Sequence, residues 1–423
     1  MNSLVLALIM MIGYFVAYHT YGKFLARKIF KLNPEAVCPS TTLKDGHDFV
    51  PTKKHVLFGH HFTSIAGLGP IVGPAIAIIW GWVPAAIWVF FGAIFFGAIH
   101  DFGALVVSMR AQGRSIGDLA SDLVNKRVRV LFLLIIFFEL WIVIAIFGLI
   151  VAILFTMYPA AVIPVWFELV IAFYLGAWFL KKGKDIFWPS IIAVIIMYIT
   201  VVIGAYVPID LKVIFGMTGT QALITWIIIV FALDAWLASS LPVQTLLQPR
   251  DFINSHQLVI AMVLITLGVI VAHPTIVAPA VNFAAEGAPP VWPMIFVIIA
   301  CGAISGFHSL VSSGTSSKQC NAESDSLFIG YGSMLMEGTL SVLVIVAVAA
   351  GIGIGLTGKG GEVFTGVAAF NHHYASWGAA AGLGSKIGAF ITGSANMIVS
   401  YGIPLKIALA IMAVFIVSFA ATT

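Results

Sequence analysis

Twelve stretches of this chain are apolar over the roughly 20 residues that a helix needs to cross the hydrocarbon of a bilayer, and that repetition narrows the fold more than any other feature. They run over 3–22, 62–80, 84–108, 130–157, 164–181, 186–207, 221–247, 256–273, 292–310, 327–356, 377–396 and 404–423. With 61% of its 423 residues hydrophobic and 9% charged, the chain has too little polar surface to enclose a soluble core. The expected fold class is an all-α polytopic membrane protein with about 12 transmembrane helices in contact with a lipid bilayer. The stretch 3–22 has neither a basic leader nor a small-residue cleavage pattern, so it reads as a retained extra helix. The stretch 377–396 is the most diluted, by Gly378, Gly382, Gly384, Lys386 and Gly388.

Basic residues sort the loops. Those following odd-numbered spans hold 17 Lys and Arg, from Lys23 to Lys318, and the opposite loops hold Lys212 and Lys359. The positive-inside rule then puts the amino terminus outside the cytoplasmic face. The net charge of +4 reports this asymmetry and requires no nucleic-acid partner. Residues 23–61 read as a cytoplasmic connector, punctuated by Asn33-Pro34, Pro39 and Asp45-Gly46.

The second span is unusual. Behind His60 and His61 it carries Gly67, Gly69, Pro70, Gly73 and Pro74 inside an apolar run. Proline lacks the amide donor and glycine leaves helical geometry cheaply. A helix interrupted there must bury its freed backbone groups in protein or line a wet cavity, which is how many secondary transporters build their sites. A plain kink packed through small residues is the alternative. Asp234, Ser239, Ser240 and Pro242 mark a second polar, proline-broken span. If 3–22 is extra, spans two to six (62–207) and seven to eleven (221–396) form two sets of five, each opening on an interrupted helix, with 404–423 peripheral. That pattern points to an inverted-repeat transporter.

Several polar residues lie within the spans. Asp101 reads either as an acceptor for a proton or cation, or as an interfacial ion pair with Arg110 or Arg114. Glu139 sits deep in its span between bulky apolar residues. Around Ser312 and Ser313 a dense set of hydroxyls can supply oxygen ligands to a hard monovalent cation, or cap and pack helices. His60 and His61 suit titratable gating or solute contact. The histidines His47, His55, His60 and His61 match no standard metal spacing, and Cys38, Cys301 and Cys320 form neither a ligand set nor a disulfide framework. No nucleophile elbow, Walker loop or HExxH occurs, so the chain reads as neither enzyme nor metalloprotein, with no cofactor. Acids scattered over different spans fit alternating access better than a channel filter. A sensor that has kept a transporter fold is the alternative class, and the oligomeric state is left open.

Four runs in order, GHHFTSIAGLGPIVGPA, HDFGALVVSMRAQGRSIGD from His100, LPVQTLLQPRDFIN from Leu241 and SGFHSLVSSGTSSKQ from Ser305, resemble the carbon starvation protein A (CstA) family over essentially the whole chain. The resemblance implies a bacterial inner-membrane transporter with a five-plus-five inverted-repeat core like that of the amino acid–polyamine–organocation superfamily; the amino terminus would then be periplasmic. It also implies import of pyruvate or short peptides in carbon starvation, and further hydrophobic segments beyond a point like Thr423. Gly69, Pro70 and Gly73 would shape the break, whose half-helix beginning near Gly73–Pro74 offers amides to a substrate carboxylate, with His61 nearby. Asp234 would meet the ammonium of a peptide. Asp101 or Glu139 takes the coupling proton, with sodium at Ser312 and Ser313 as the alternative ion.

Overall fold

A segment in hydrocarbon must satisfy its own backbone, so apolar runs become helices. The structure is a computed structural model that describes residues 1–180, 187–358 and 360–422. The charges Lys181, Lys182, Lys184 and Lys359 counted above lie outside the described residues. Among those described, nine helices are long and apolar enough to cross a membrane, and a bent pair makes a tenth. The first half comprises α1 (Ser3–Ile29), the bent pair α2 (Lys54–Ala66) and α3 (Gly69–Trp80), α4 (Trp82–Arg110), a short α5 (Ile116–Leu123), α6 (Lys126–Met157), α7 (Pro159–Trp178) and α8 (Phe187–Tyr206). The second comprises α9 (Gly219–Ser240), α10 (Leu247–Ala272), α11 (Val291–Ile298), α12 (307–319), α13 (Glu323–Ile354), α14 (Gly366–His373), α15 (Leu383–Val399) and α16 (Leu405–Thr422). A two-stranded hairpin, Leu356–Thr357 against Val363–Phe364, follows α13.

The apolar stretches outnumber the crossing helices because two of them are divided. The stretch 292–310 splits into α11 and α12, and 377–396 becomes the turn Trp377–Ala380 followed by the 17-residue α15. Helix α13 forms the heart of the bundle, with 89% of its most apolar window buried, whereas the corresponding window of α6 is 0% buried and faces outward. The connector runs from residue 30 to 53, shorter than expected at both ends, and is pinned to the end of α12 through Val50 N–H to Lys318 O (3.2 Å) and Ser40 Oγ to Cys320 O (2.7 Å). Within it the amides of His47, Asp48 and Phe49 donate to Asp45 Oδ1 at 2.8, 3.0 and 3.0 Å. Led by the His47 amide, they hold the Asp45 carboxyl below its ordinary range.

The interruption in the second span is real but short. Helix α2 ends at Gly67 in non-helical geometry, and α3 restarts with Pro70 in its first turn, where a missing amide costs nothing; the two helices bend by 42°. Gly73 and Pro74 therefore lie inside α3, so the new helix begins at Gly69 and not near Gly73–Pro74. Pro74 cannot donate to the carbonyl of Pro70, and Ser341 Oγ of α13 supplies that hydrogen bond instead at 3.2 Å.

The interruption that meets it is not at Asp234–Pro242. Helix α9 ends at Ser240 and Pro242 lies in the connection to α10. The second unwound stretch is 299–306, between α11 and α12, and it crosses the first. Trp88 Nε1 donates to Ile299 O at 3.0 Å and Gly302 N–H donates to Glu337 Oε1 at 2.8 Å, so freed backbone groups are satisfied by side chains. Contact between the breaks depends on glycine. A Cβ on Gly69 would stand 2.1 Å from Cys301 Cβ, and one on Gly73 would stand 2.4 Å from Ile298 O. Gly73→Ala presses on backbone rather than a movable side chain. Overpacking of this kind costs about 1–3 kcal/mol, so the variant is expected to melt several degrees lower in detergent and to lose uptake activity. An unchanged melting profile and unchanged uptake would show that the breaks need not touch.

Candidate functional site

Successive residues on a helix point about 100° apart, so His60 and His61 of α2 serve two different centres. His61 is completely buried. Its Nδ1 lies 2.7 Å from Ser316 Oγ and its Nε2 3.2 Å from Asp101 Oδ2 of α4. Ser312 Oγ donates to Asp101 Oδ1. Ser312 and Ser316 sit one turn apart on a π-helical stretch of α12, a local widening common at functional sites. Beyond Asp101, His308 Nδ1 stands 3.6 Å from Asp101 Oδ2 and its Nε2 3.0 Å from Glu337 Oε2. Two carboxylates and two imidazoles, all at 0% exposure, thus form one chain from α2 to α13 beside the crossed breaks. Ionisable groups at such depth are costly unless paired, and paired groups of this kind can hold and pass a proton.

His60 faces the other way. Its Nδ1 is 2.5 Å from Asp251 Oδ2 of α10, and Ser64 Oγ approaches the same oxygen at 3.4 Å. This dyad lines a polar cavity of about 570 Å³ between α2, the end of α9 and α12, with Ser239, Ser240 and Thr315 also on its wall. The exposed loop residues His47 and Asp48 border it, so it communicates with the face that bears Lys318. A second, apolar cavity of about 330 Å³ lies at the break, lined by Gly67, Leu68, Gly69, Cys301 and Phe307. Phe307 belongs to both walls.

A third centre lies behind α10. Arg250 is fully buried and holds Asp234 through Nη1 (2.9 Å) and Nη2 (3.3 Å), with Glu168 Oε1 3.6 Å from its Nε. Ser418 of α16 donates to Glu168 Oε2 at 2.7 Å.

Of the sequence candidates, the structure brings together His61, Asp101 and Ser312, with Gly69, Pro70 and Gly73 shaping the adjacent contact. It does not bring in Glu139, which is half-exposed on the outward stretch of α6. Ser313 serves the backbone: it donates to Ser309 O at 2.6 Å and accepts from Ile116 N–H at 3.0 Å. Asp234 spends both oxygens on Arg250. The interfacial pairing considered for Asp101 is absent, because Arg110 binds Glu323 (2.5 Å) and Arg114 binds Asp118 and Asp122 (3.0 and 2.6 Å). Arg114 holds the Asp118 carboxyl below its ordinary range. Arg250, counted above as a loop charge, is a core residue. His308, Glu337, Asp251 and Glu168 are the participants that sequence patterns did not single out. Cys301, His308 and Glu337 have donor atoms within 4.8 Å of one another, as a metal site requires; Glu337 Oε1 accepts from Gly302, while His308 stands between two carboxylates with both ring nitrogens, like Glu337 Oε2, outside any hydrogen bond.

These features define a multi-pass helical membrane protein whose ionisable groups are gathered where two interrupted helices cross. The chain belongs to the family described as carbon starvation protein CstA, whose model matches residues 2–380. The peptide transporter CstA of Escherichia coli K12 is 35% identical over 342 residues, covering 79% of this chain and 48% of that protein. The pyruvate/proton symporter BtsT of the same organism is 34% identical over 340 residues, covering 79% and 47%. The peptide transporter CstA of Bacillus subtilis 168 is 34% identical over 351 residues, covering 82% and 58%. The chain thus spans about half the length of the curated relatives it matches, and the names of all three are those of transporters, not enzymes. No solved structure matches it.

Proposed function

We propose that this chain is a secondary carrier of the bacterial inner membrane that imports small carboxylate nutrients, pyruvate or short peptides, by proton-coupled alternating access. The observation that carries the reading is Asp101, wholly buried and shared by His61, Ser312 and His308 beside the crossed breaks. A carboxylate there can be loaded from one side and unloaded to the other as the broken helices move, and its proton state alters how α2, α4 and α12 pack. The substrate carboxylate meets the start of α3 at the break, where the helix dipole favours an anion. Asp234 acts through Arg250, by positioning the end of α9 against the polar cavity. The five-plus-five repeat implied by the family resemblance is retained as part of this reading, although the second interruption, at 299–306, falls in the third stretch of the second set and not in its first. The excess of Lys and Arg on the cavity side supports a cytoplasmic opening and a periplasmic amino terminus.

The test is uptake of labelled pyruvate and a labelled dipeptide by the purified chain in sealed vesicles, under imposed proton or sodium gradients. Accumulation driven by the proton gradient and dissipated by a protonophore is expected. Accumulation only with sodium would move the coupling site to the hydroxyls around Ser312. No turnover with either gradient, from protein that binds substrate, would favour a sensor.

A further inference from the structure

Resting on the carrier reading above, we propose that His60 and Asp251 form an ammonium-binding site in the polar cavity, so that substrates entering it carry a protonated primary amine. His60 Nδ1 stands 2.5 Å from Asp251 Oδ2, and an imidazole that gives its Nδ1 proton to a carboxylate keeps a lone pair on Nε2. Asp251 Oδ1 is likewise an acceptor. Both atoms lack a hydrogen-bond partner, and the two residues are only 4% and 1% exposed. Unpaired buried acceptors are costly, so a dyad that leaves two of them beside a cavity is complementary to a donor. An ammonium brings three donors and a positive charge, whereas the carboxylate and keto oxygens of a keto acid bring further acceptors.

The surroundings agree with a ligand of this class. The cavity, at about 570 Å³, is within the range of roughly 300–1,000 Å³ typical of small-molecule sites. Ser239, Ser240 and Thr315 offer hydroxyls on its wall. Lys318, a cation lining it, stands 3.7 Å from Asp48 near the mouth, and the guanidinium of the neighbouring Arg250 is bound to Asp234. Asp251 is also fixed from behind: Thr63 Oγ1 donates to its backbone carbonyl at 3.0 Å. The acceptors are therefore held on two helices before any ligand arrives, which favours binding by lowering the ordering cost.

The experiment measures binding of labelled dialanine to the full purified chain in nanodiscs, with unlabelled dialanine, N-acetyl-dialanine and pyruvate as competitors. Acetylation removes the charge and most of the donors, so it is expected to weaken competition roughly ten- to a hundredfold. Asp251→Asn should erase that discrimination. Because Asn at a buried site can disturb folding, His60→Gln is measured alongside, each with a thermal melt, and a folded variant that no longer distinguishes the two peptides is the expected result. Equal competition by the acetylated peptide, discrimination that survives in both folded variants, or no dialanine binding at all would overturn the site. Dialanine binding that discriminates as expected but is never followed by accumulation would sink the carrier reading and leave the ammonium site standing. Driven pyruvate uptake with no preference for the free amine would do the reverse.

Discussion

Asp101→Asn is expected to abolish proton-driven accumulation while sparing exchange of substrate across the membrane. Asparagine keeps the size of aspartate and can still accept the Ser312 hydroxyl and meet His61, so the junction of α2, α4 and α12 stays assembled. It cannot take up and release a proton. One coupled proton converts each unit of pH gradient into about 1.4 kcal/mol, or a tenfold accumulation ratio. The variant should therefore bring internal and external substrate to the same concentration whatever the gradient, yet swap labelled for unlabelled substrate at a rate within a few-fold of the parent. Vesicle uptake under a stepped pH gradient, with a counterflow assay on the same preparation, reads both quantities. Driven uptake that persists would remove Asp101 from coupling. Loss of exchange together with driven uptake would make Asp101 a residue of the binding or packing machinery.

The helices were legible because hydrocarbon leaves the backbone one local solution, and apolar length therefore reads directly as helix. The first break was legible for the same reason: Gly67, Gly69, Pro70 and Pro74 alter local geometry through their own chemistry. The second break carried a weaker local signal, Gly302 at φ 81° and Gly306 without a proline between them, and its freed groups are met by distant partners, with Trp88 taking the Ile299 carbonyl and Glu337 the Gly302 amide. Pro242 carried the stronger local signal but fell in a connection, where proline is unremarkable. Depth along a span was likewise a poor guide to function. Glu139 is deep in sequence yet turns outward, whereas Arg250, which composition assigns to a loop, is at 0% exposure because α10 begins at Leu247 with Pro249 in its first turn. The His60–Asp251 dyad depends on contact between residues 191 positions apart, which no spacing within either segment encodes.

Arg250→Met should be the most destabilising single change among the charged centres. The guanidinium is the cation shared by Asp234, at 2.9 and 3.3 Å, and Glu168, at 3.6 Å. Methionine fills much of the same volume but leaves two buried carboxylates without their shared cation. Removing one partner of a buried ion pair typically costs about 3–5 kcal/mol, a large part of the stability of many folded chains. The variant is expected to unfold well below the parent temperature in detergent, followed by helical circular dichroism. The decisive comparison adds Asp234→Asn and Glu168→Gln to it, since a centre with all three charges removed has no uncompensated ion left to bury. Recovery of both stability and uptake would mean that the triad only holds α7, α9 and α10 together. Recovery of stability without uptake would mean that the Arg250–Asp234 pair is broken and remade as α9 moves against the cavity, because neutral side chains can fill that space but cannot exchange one strong pairing for another. Failure to recover stability would show that the cost lies in packing around α10 rather than in unpaired charge.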